Sequence, residues 1–192
     1  MIRIRFEERE KIGLQYILES LHGCSPFGSE RIRRLRFYAP EERAELETEL
    51  YNVEQAAKAA DALKHQYQAQ ILFLPLQFPA DAQLSAQVEA AMEDSRDVFI
   101  LDQKCSTQGY QDLICNLHLL IGMRLHALVF AAINDVPFMA ISYDPKVDRF
   151  VDGMKGNVVD TIGRITSEEL VSMAGRHSLI SAISTRTRFW VE

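Results

Sequence analysis

The chain has 192 residues, of which 47% are hydrophobic and 25% are charged, with nine glycines and six prolines. This composition is typical of a globular protein and excludes a fibrous or disordered chain. The formal net charge of −6 argues against nonspecific nucleic-acid binding, which needs a basic surface, but it is compatible with a small anion held by a local basic cluster.

The cysteines and the N-terminus indicate a cytoplasmic protein without a membrane span. Cys24, Cys105 and Cys115 are odd in number and lack the spacing of metal ligands, so reduced thiols are expected. The opening MIRIRFEEREK carries charges where a secretory signal would be apolar. The longest apolar run, around Leu125–Ile133, is far shorter than the roughly 20 residues that cross a membrane.

Residues 1–36 are read as a divergent N-terminal leader. The segment IRIRF is predicted to be a short strand, EEREKIGLQYILESL an amphipathic helix and GCSPFGS a loop. The run SERIRRLR then concentrates four arginines. We expect these to form a solvated face or a connection to another domain, with a substrate contact as the alternative.

A long amphipathic helix is predicted over residues 40–67. Pro40 suits the first helical position, and two glutamates follow it where the helix dipole favours negative charge. Apolar residues then recur at spacings of three and four along one stripe, comprising Leu46, Leu50, Val53, Ala57, Ala60 and Leu63. The stripe predicts one buried face, and a role of this helix as an interface stays open.

After this helix, short apolar strands alternate with further helices. The predicted strands are QILFL (70–74), DVFILD (97–102), HLLIG (118–122) and PFMAIS (137–142). The predicted helices are DAQLSAQVEAAMED (81–94), TQGYQDLICN (107–116), MRLHALVFAAIND (123–135) and PKVDRFVDGM (145–154), followed by a helical tail that opens with a capping box from Thr166 to Glu169. This alternation predicts an α/β fold over residues 37–192, with a Rossmann-like parallel sheet and helices on both faces.

Familiar cofactor and metal motifs do not occur in the sequence. Neither GxGxxG nor GxxxxGK[ST] is present, so a dinucleotide site or a P-loop is not supported. No HExxH, CxxC or cluster of histidine and acidic residues has metal-ligand spacing. We therefore expect no cofactor and no metal.

Basic residues instead stand at the starts of two helices that follow predicted strands. HLLIG turns at Gly122, and the next helix has Arg124 and His126 in its first turn. After PFMAIS, Asp144 suits the N-cap position, which puts Lys146 in the first turn of the following helix. In doubly wound sheets, ligands bind where strands end and helices begin.

Cations at these helix starts oppose the helix dipole, at a cost of ~0.3–1 kcal/mol each. A bound anion would explain both, because backbone N–H groups and cationic side chains would hold it together. Simpler readings remain open. Arg124 could pair with an acidic residue such as Asp144, His126 could be a core histidine, and Lys146 could point into water. Tyr143 could simply pack beside the site.

The segments IGMRLHALVFAA and VPFMAISYDPKV resemble the signature of the polysaccharide pyruvyl transferase family, particularly its bacterial cell-wall branch. The similarity extends over residues 69–152 and includes ILFLPLQFPAD and HLLIG in the same order. Members of this family transfer pyruvate from phosphoenolpyruvate (PEP) to a sugar as a cyclic ketal. Their fold resembles that of GT-B glycosyltransferases, which implies the C-terminal half of a GT-B-like fold for this chain.

The resemblance implies roles for individual residues of the donor site. Arg124, His126 and Lys146 would be catalytic, with Arg124 offering a bidentate fork to an anion, Lys146 a point charge and His126 a proton. Asp81 lies at the same predicted edge and has only a weak claim of its own. Further substrate contacts are implied at Gly122, Leu125, Tyr143, Gln77 and Arg36.

Family members also carry an N-terminal half-domain that opens with a glycine-rich strand–turn–helix, and this opening is absent here. The expectation is a C-terminal half that is inactive alone, or that works with an N-terminal-half partner or as a homo-oligomer. Its expected substrates are PEP and a sugar of a cell-wall or exopolysaccharide precursor, with lipid-linked N-acetylmannosamine as one candidate. Three alternatives stay open: a non-catalytic domain that binds PEP or another phosphorylated metabolite, a scaffold that uses helix 40–67, and a GT-B relative that uses a nucleotide sugar.

Overall fold

The computed structural model describes residues 11–15, 40–142, 144–154, 157–159 and 166–176. Its strands are β1 (Lys11–Gln15), β2 (Gln70–Phe73), β3 (Val98–Ile100), β4 (Leu119–Gly122), β5 (Phe138–Ile141) and β6 (Asn157–Val159). Its helices are α1 (Pro40–Tyr67), α2 (Ala80–Ala91), α3 (Thr107–Ile114), α4 (Leu125–Ile133), α5 (Pro145–Met154) and α6 (Ser167–Arg176). From β2 to α5, these elements agree with the predicted ones in type and order.

The six strands of the described part of the chain run parallel in one sheet, in the order β3-β2-β1-β4-β5-β6. This is the strand order of a doubly wound Rossmann sheet, in which strands are added on one side of β1 and then on the other. The order reverses between β1 and β4, where Gln15 is paired with Gly122. The predicted Rossmann-like α/β fold is confirmed.

Helices cover both faces of the sheet. Side chains along β2 and the residue after it alternate between two cores, as a pleated strand requires. Ile71 and Phe73 pack with α1, α2 and α6, whereas Leu72 and Leu74 pack with α3, α4 and α5. All four side chains are at most 2% exposed, and burying each contributes about 1.5–3 kcal/mol to folding.

The apolar stripe of α1 is part of the core. Val53, Ala57, Ala60 and Leu63 are at most 5% exposed and pack in the cluster that includes α2, α6 and the sheet. Alanine has a small side chain, so its repetition allows a helix to approach its neighbours closely. Because this face is buried within the chain, it is not available as an interface with another protein.

The strand β1 corrects the assignment made from sequence. Residues 11–15, which were expected to continue a helix, form a strand that pairs with β2 and β4. Pairing on both sides outweighs a weak local preference for helix, and Gly13 is a poor helix former in any case. The strand thus belongs to the sheet although it lies in the predicted leader. The boundary at residue 37 otherwise stays a prediction, since residues 1–10 and 16–39 lie outside the described residues.

The remaining elements are the strand β6 and the helix α6. The strand β6, of three residues, was not predicted because so short a segment shows no periodicity. The capping box of α6 is confirmed: Thr166 Oγ1 accepts from the Glu169 N–H at 3.2 Å, and Glu169 Oε2 accepts from the Thr166 N–H at 3.1 Å. None of the helices in the described ranges combines the length and the apolar character that a membrane crossing needs.

Candidate functional site

Arg124 and Lys146 follow neighbouring strands at one edge of the sheet. The strands β4 and β5 are adjacent and parallel, with Gly122 opposite Ala140, so the segments that follow them start at the same edge. Arg124 is the N-cap residue of α4, and Lys146 lies in the first turn of α5. The strand order reverses at this edge, between β1 and β4, and doubly wound proteins bind ligands at such a point.

Arg124 is held by a buried acid on α2. Its Nη2 donates to Asp81 Oδ1 at 2.8 Å, and its Nε donates to Asp81 Oδ2 at 3.3 Å. The Asp81 side chain is 1% exposed and the Arg124 side chain 22%. Two contacts to one carboxylate fix the plane of the guanidinium. Arg124 therefore has an acidic partner, as one of the simpler readings allowed, but the partner is Asp81, whereas Asp144 pairs with Lys146.

The same carboxylate holds the loop that follows β2. Asp81 Oδ2 accepts from the backbone N–H groups of Leu76 at 3.1 Å and Gln77 at 2.8 Å. The hydroxyl of Tyr110, on α3, donates to the Pro75 carbonyl in this loop at 2.9 Å. Burial raises the pKa of the Tyr110 hydroxyl, which keeps the proton on this donor. Two buried side chains from different helices thus fix the loop that carries Gln77.

Asp144 and Lys146 form a more exposed pair at the start of α5. Asp144 Oδ1 accepts from the Lys146 backbone N–H at 2.8 Å, which is the predicted N-cap contact, and Asp144 Oδ2 lies 3.0 Å from Lys146 Nζ. The backbone hydrogen bond, followed by the ammonium group, lowers the pKa of Asp144. The Lys146 and Asp144 side chains are 47% and 35% exposed. Water therefore screens their attraction, and the ion pair adds little stability.

The other predicted contacts lie at several positions around this edge. His126 is exposed in the first turn of α4, so the reading as a core histidine is wrong. Gln77 is exposed in the loop after β2, Leu125 is half-buried as the first residue of α4, and Gly122 is buried at the end of β4. The predicted residues that lie outside the described residues are Tyr143 and Arg36.

The electrostatics of the site differ from the sequence-based argument in one respect. Arg124 and Lys146 each have a carboxylate oxygen at 3.0 Å or less. The cations at the two helix starts therefore do not by themselves require a bound anion. What they offer an anion is hydrogen-bond donors, since a guanidinium has five N–H groups and Asp81 accepts from two of them.

Asp81 is the functional candidate that the sequence-based reading undervalued. Its signal was an acidic residue in the first turn of a helix after a buried strand, which is usually explained by the helix dipole alone. Its partner Arg124 is 43 residues away in the chain. Only the parallel arrangement of the strands brings the two together.

The family model for polysaccharide pyruvyl transferases matches residues 20–145, about two thirds of the chain. This range contains Asp81, Arg124 and His126 and ends one residue before Lys146. A search of curated proteins finds no match.

Among solved structures, the chain is similar to a protein from Listeria monocytogenes that is assigned as a UDP-N-acetylglucosamine 2-epimerase. The TM-score is 0.56 with 10% sequence identity, and the alignment covers 91% of this chain and 37% of that chain. At this identity the likeness shows the fold alone, which agrees with a Rossmann-like half of a GT-B fold. The family match rests on the sequence itself and spans more than half of it. The chain belongs to the polysaccharide pyruvyl transferase family.

Proposed function

We propose that this chain takes part in transferring pyruvate from PEP to a sugar of a cell-wall or exopolysaccharide precursor, where it forms a ketal. Membership of the family supports a pyruvyl transferase of polysaccharide biosynthesis. The donor, the product and the activity of this chain are the proposal. The chain corresponds to 37% of the length of the similar epimerase, so a second half-domain or a partner that supplies the acceptor side is part of the same proposal.

The observation that carries the proposal is the guanidinium of Arg124, which Asp81 holds at the start of α4. Arg124 follows β4, and the neighbouring strand β5 leads to Lys146. PEP bears a phosphate and a carboxylate, and planar bidentate donors suit both groups. With two of its five N–H groups directed to Asp81, Arg124 has three left for such an anion. The N-terminus of α4 adds a favourable dipole.

Lys146 would contribute an adaptable charge. Its ammonium contacts Asp144 in a pair exposed enough for water to compete. A doubly charged phosphate attracts the ammonium more strongly than one exposed carboxylate does. Lys146 can therefore turn from Asp144 to the donor, while Asp144 keeps capping α5 through its other oxygen.

His126 is the group we assign to proton transfer. It is exposed and two residues from Arg124, and histidine is the side chain that most often serves as a general acid or base. In the proposed reaction a proton adds to the methylene carbon of PEP, and a sugar hydroxyl adds to the central carbon and loses its proton. Phosphate then leaves with the electrons of its C–O bond, and a second hydroxyl closes the ketal with loss of its proton. Arg124 and Lys146 would stabilise the charge on the departing phosphate.

Two measurements on the full chain test the proposal. The first is calorimetry with PEP, and the second is an assay of phosphate release from PEP with a lipid-linked N-acetylmannosamine acceptor. We expect PEP binding, and acceptor-dependent phosphate release with the acceptor-side half present. His126→Ala should abolish release, whereas His65→Ala, which changes an exposed histidine at the end of α1, should not. Binding without release under all conditions would assign a non-catalytic PEP-binding role. Absence of PEP binding would overturn the proposal.

A further inference from the structure

We infer that Asp81 is the positioning residue of this site: it holds the Arg124 guanidinium and the Gln77 loop in the arrangement that receives the donor's anionic groups. The inference rests on the proposed function, because it assumes that the ligand is PEP. It adds a residue to the three basic candidates Arg124, His126 and Lys146, and this residue would act without touching the substrate.

The first support is the number and kind of contacts that one side chain makes. Asp81 accepts four hydrogen bonds, two from Arg124 and one each from the backbone of Leu76 and Gln77, at 2.8–3.3 Å. It joins α2, the loop after β2 and the start of α4. Since the side chain is 1% exposed, these contacts are hardly weakened by water.

The second support is that the contacts fix the plane of the guanidinium, which sets the direction of the N–H groups that would bind an anion. A guanidinium on a flexible side chain loses rotamer entropy when it binds a ligand. Arg124 is already held at Nε and Nη2, so its plane is set before the ligand arrives. Neighbouring groups that orient a functional side chain in this way commonly change ligand affinity when they are removed.

The third support comes from a buried aspartate at the other end of α2. Asp61, on α1, is 8% exposed and accepts from the backbone N–H groups of Glu93 at 2.8 Å and Asp94 at 3.4 Å, just after α2 ends. This is what an aspartate does when it only secures a chain segment. Asp81 secures the loop before α2 in the same manner and, in addition, binds an arginine from a third element. Securing the loop does not require this additional contact with Arg124.

The substitution Asp81→Asn separates the two tasks. With its amide oxygen in the position of Oδ2, asparagine keeps the hydrogen bonds from Leu76 and Gln77. Its amide NH₂ then takes the position of Oδ1, where it meets the Nη2 donor of Arg124. The loop stays in place, whereas Arg124 keeps only the longer contact from Nε and loses the second contact that sets its plane. We expect PEP to bind about 10-fold more weakly or worse, which is within the range of coupling between contacting residues.

Two controls make the measurement specific. Asp61→Asn should lower the melting temperature as Asp81→Asn does but leave the PEP dissociation constant within about 2-fold, because its contacts lie at the far end of α2. In the double variant with Arg124→Ala, Asp81→Asn should weaken PEP binding no further than Arg124→Ala alone. A residue that acts only through general stability would instead give additive effects.

A second variant keeps the inference testable if Asp81→Asn does not fold. Arg124→Lys retains the charge, but an ammonium cannot present a fixed fork to Asp81 on one side and to an anion on the other. We expect about a 10-fold loss of PEP affinity here as well. Normal PEP binding by either folded variant, or additive effects in the double variant, would overturn this inference and leave the proposed function standing. Absence of PEP binding by the unaltered chain would overturn both.

Discussion

Two acid–base pairs stand at the carboxyl edge of the sheet, and they differ in burial. In the first, Asp81 is almost completely buried and grips Arg124 at two points, from another helix. In the second, Asp144 and Lys146 are two residues apart, and both side chains are more than a third exposed. The first pair joins distant parts of the chain, whereas the second joins two residues at the start of one helix.

The difference indicates a division of labour within the proposed site. Separating a buried pair leaves an uncompensated charge, which costs free energy, so we expect Arg124 to stay bound to Asp81. Breaking an exposed pair costs little, so Lys146 can leave Asp144 when a stronger anion arrives. A donor with two anionic groups would then find one rigid and one adaptable cation.

The largest effect should come from breaking the buried pair completely. We expect Asp81→Ala to lower the free energy of unfolding by about 3 kcal/mol, since it leaves the guanidinium and two backbone N–H groups of the loop without their acceptor. Asp144→Ala removes a cap and an exposed pair, and its effect should be clearly smaller. Denaturant unfolding of both variants measures the contrast. Equal losses would mean that burial does not distinguish the two pairs.

A smaller loss of stability is expected when the hydrogen bond from Tyr110 to the loop after β2 is removed. Tyr110→Phe removes the donor to the Pro75 carbonyl, and a buried carbonyl without a partner costs about 1–2 kcal/mol. Tyr67→Phe is the matched control, because the Tyr67 hydroxyl accepts from Gln66 in an exposed hydrogen bond. Thermal unfolding should show a lower melting temperature for Tyr110→Phe than for Tyr67→Phe. The reverse order would contradict the role of Tyr110 in fixing the loop.

Replacement of Lys146 should affect the binding of PEP and not the stability of the fold. We expect Lys146→Ala to weaken PEP binding about 10-fold or more, the size of one lost charge-assisted hydrogen bond, with nearly unchanged unfolding. Arg149→Ala is the control, because Arg149 is an exposed cation one turn further along α5. Calorimetry and thermal unfolding of both variants give the comparison. Full affinity of Lys146→Ala would remove Lys146 from the donor site.

The smallest effect concerns the dependence of the exposed pair on pH. Because its pKa is lowered in the folded chain, ionised Asp144 adds stability above its unfolded pKa of ~4, and this contribution is lost as the pH falls through the lowered pKa. Asp144→Asn keeps the cap and removes the charge. The melting temperatures of the two proteins should differ slightly at pH 7 and converge in strong acid. A difference that grew on acidification would contradict this sign.

Much of the fold could be predicted because the signals were local. The region from β2 to α5 has apolar strands that alternate with helices, and each element there was identified. The strand β1 was missed because a short central strand depends on its neighbours on both sides and its own residues are ambiguous. The partner of Arg124 was missed for a related reason: Asp81 is 43 residues away in the chain, and Asp144, the partner suggested from sequence, pairs with Lys146.

The sequence by itself determined the alternation of strands and helices, the N-cap at Asp144 and the presence of Arg124, His126 and Lys146 at helix starts, because these features depend on residues within one or two turns. The tertiary structure alone decided that β1 lies in the middle of the sheet and that Asp81 holds Arg124. Both depend on contacts between segments far apart in the chain, and such contacts form only when parallel strands align their carboxyl ends at one edge.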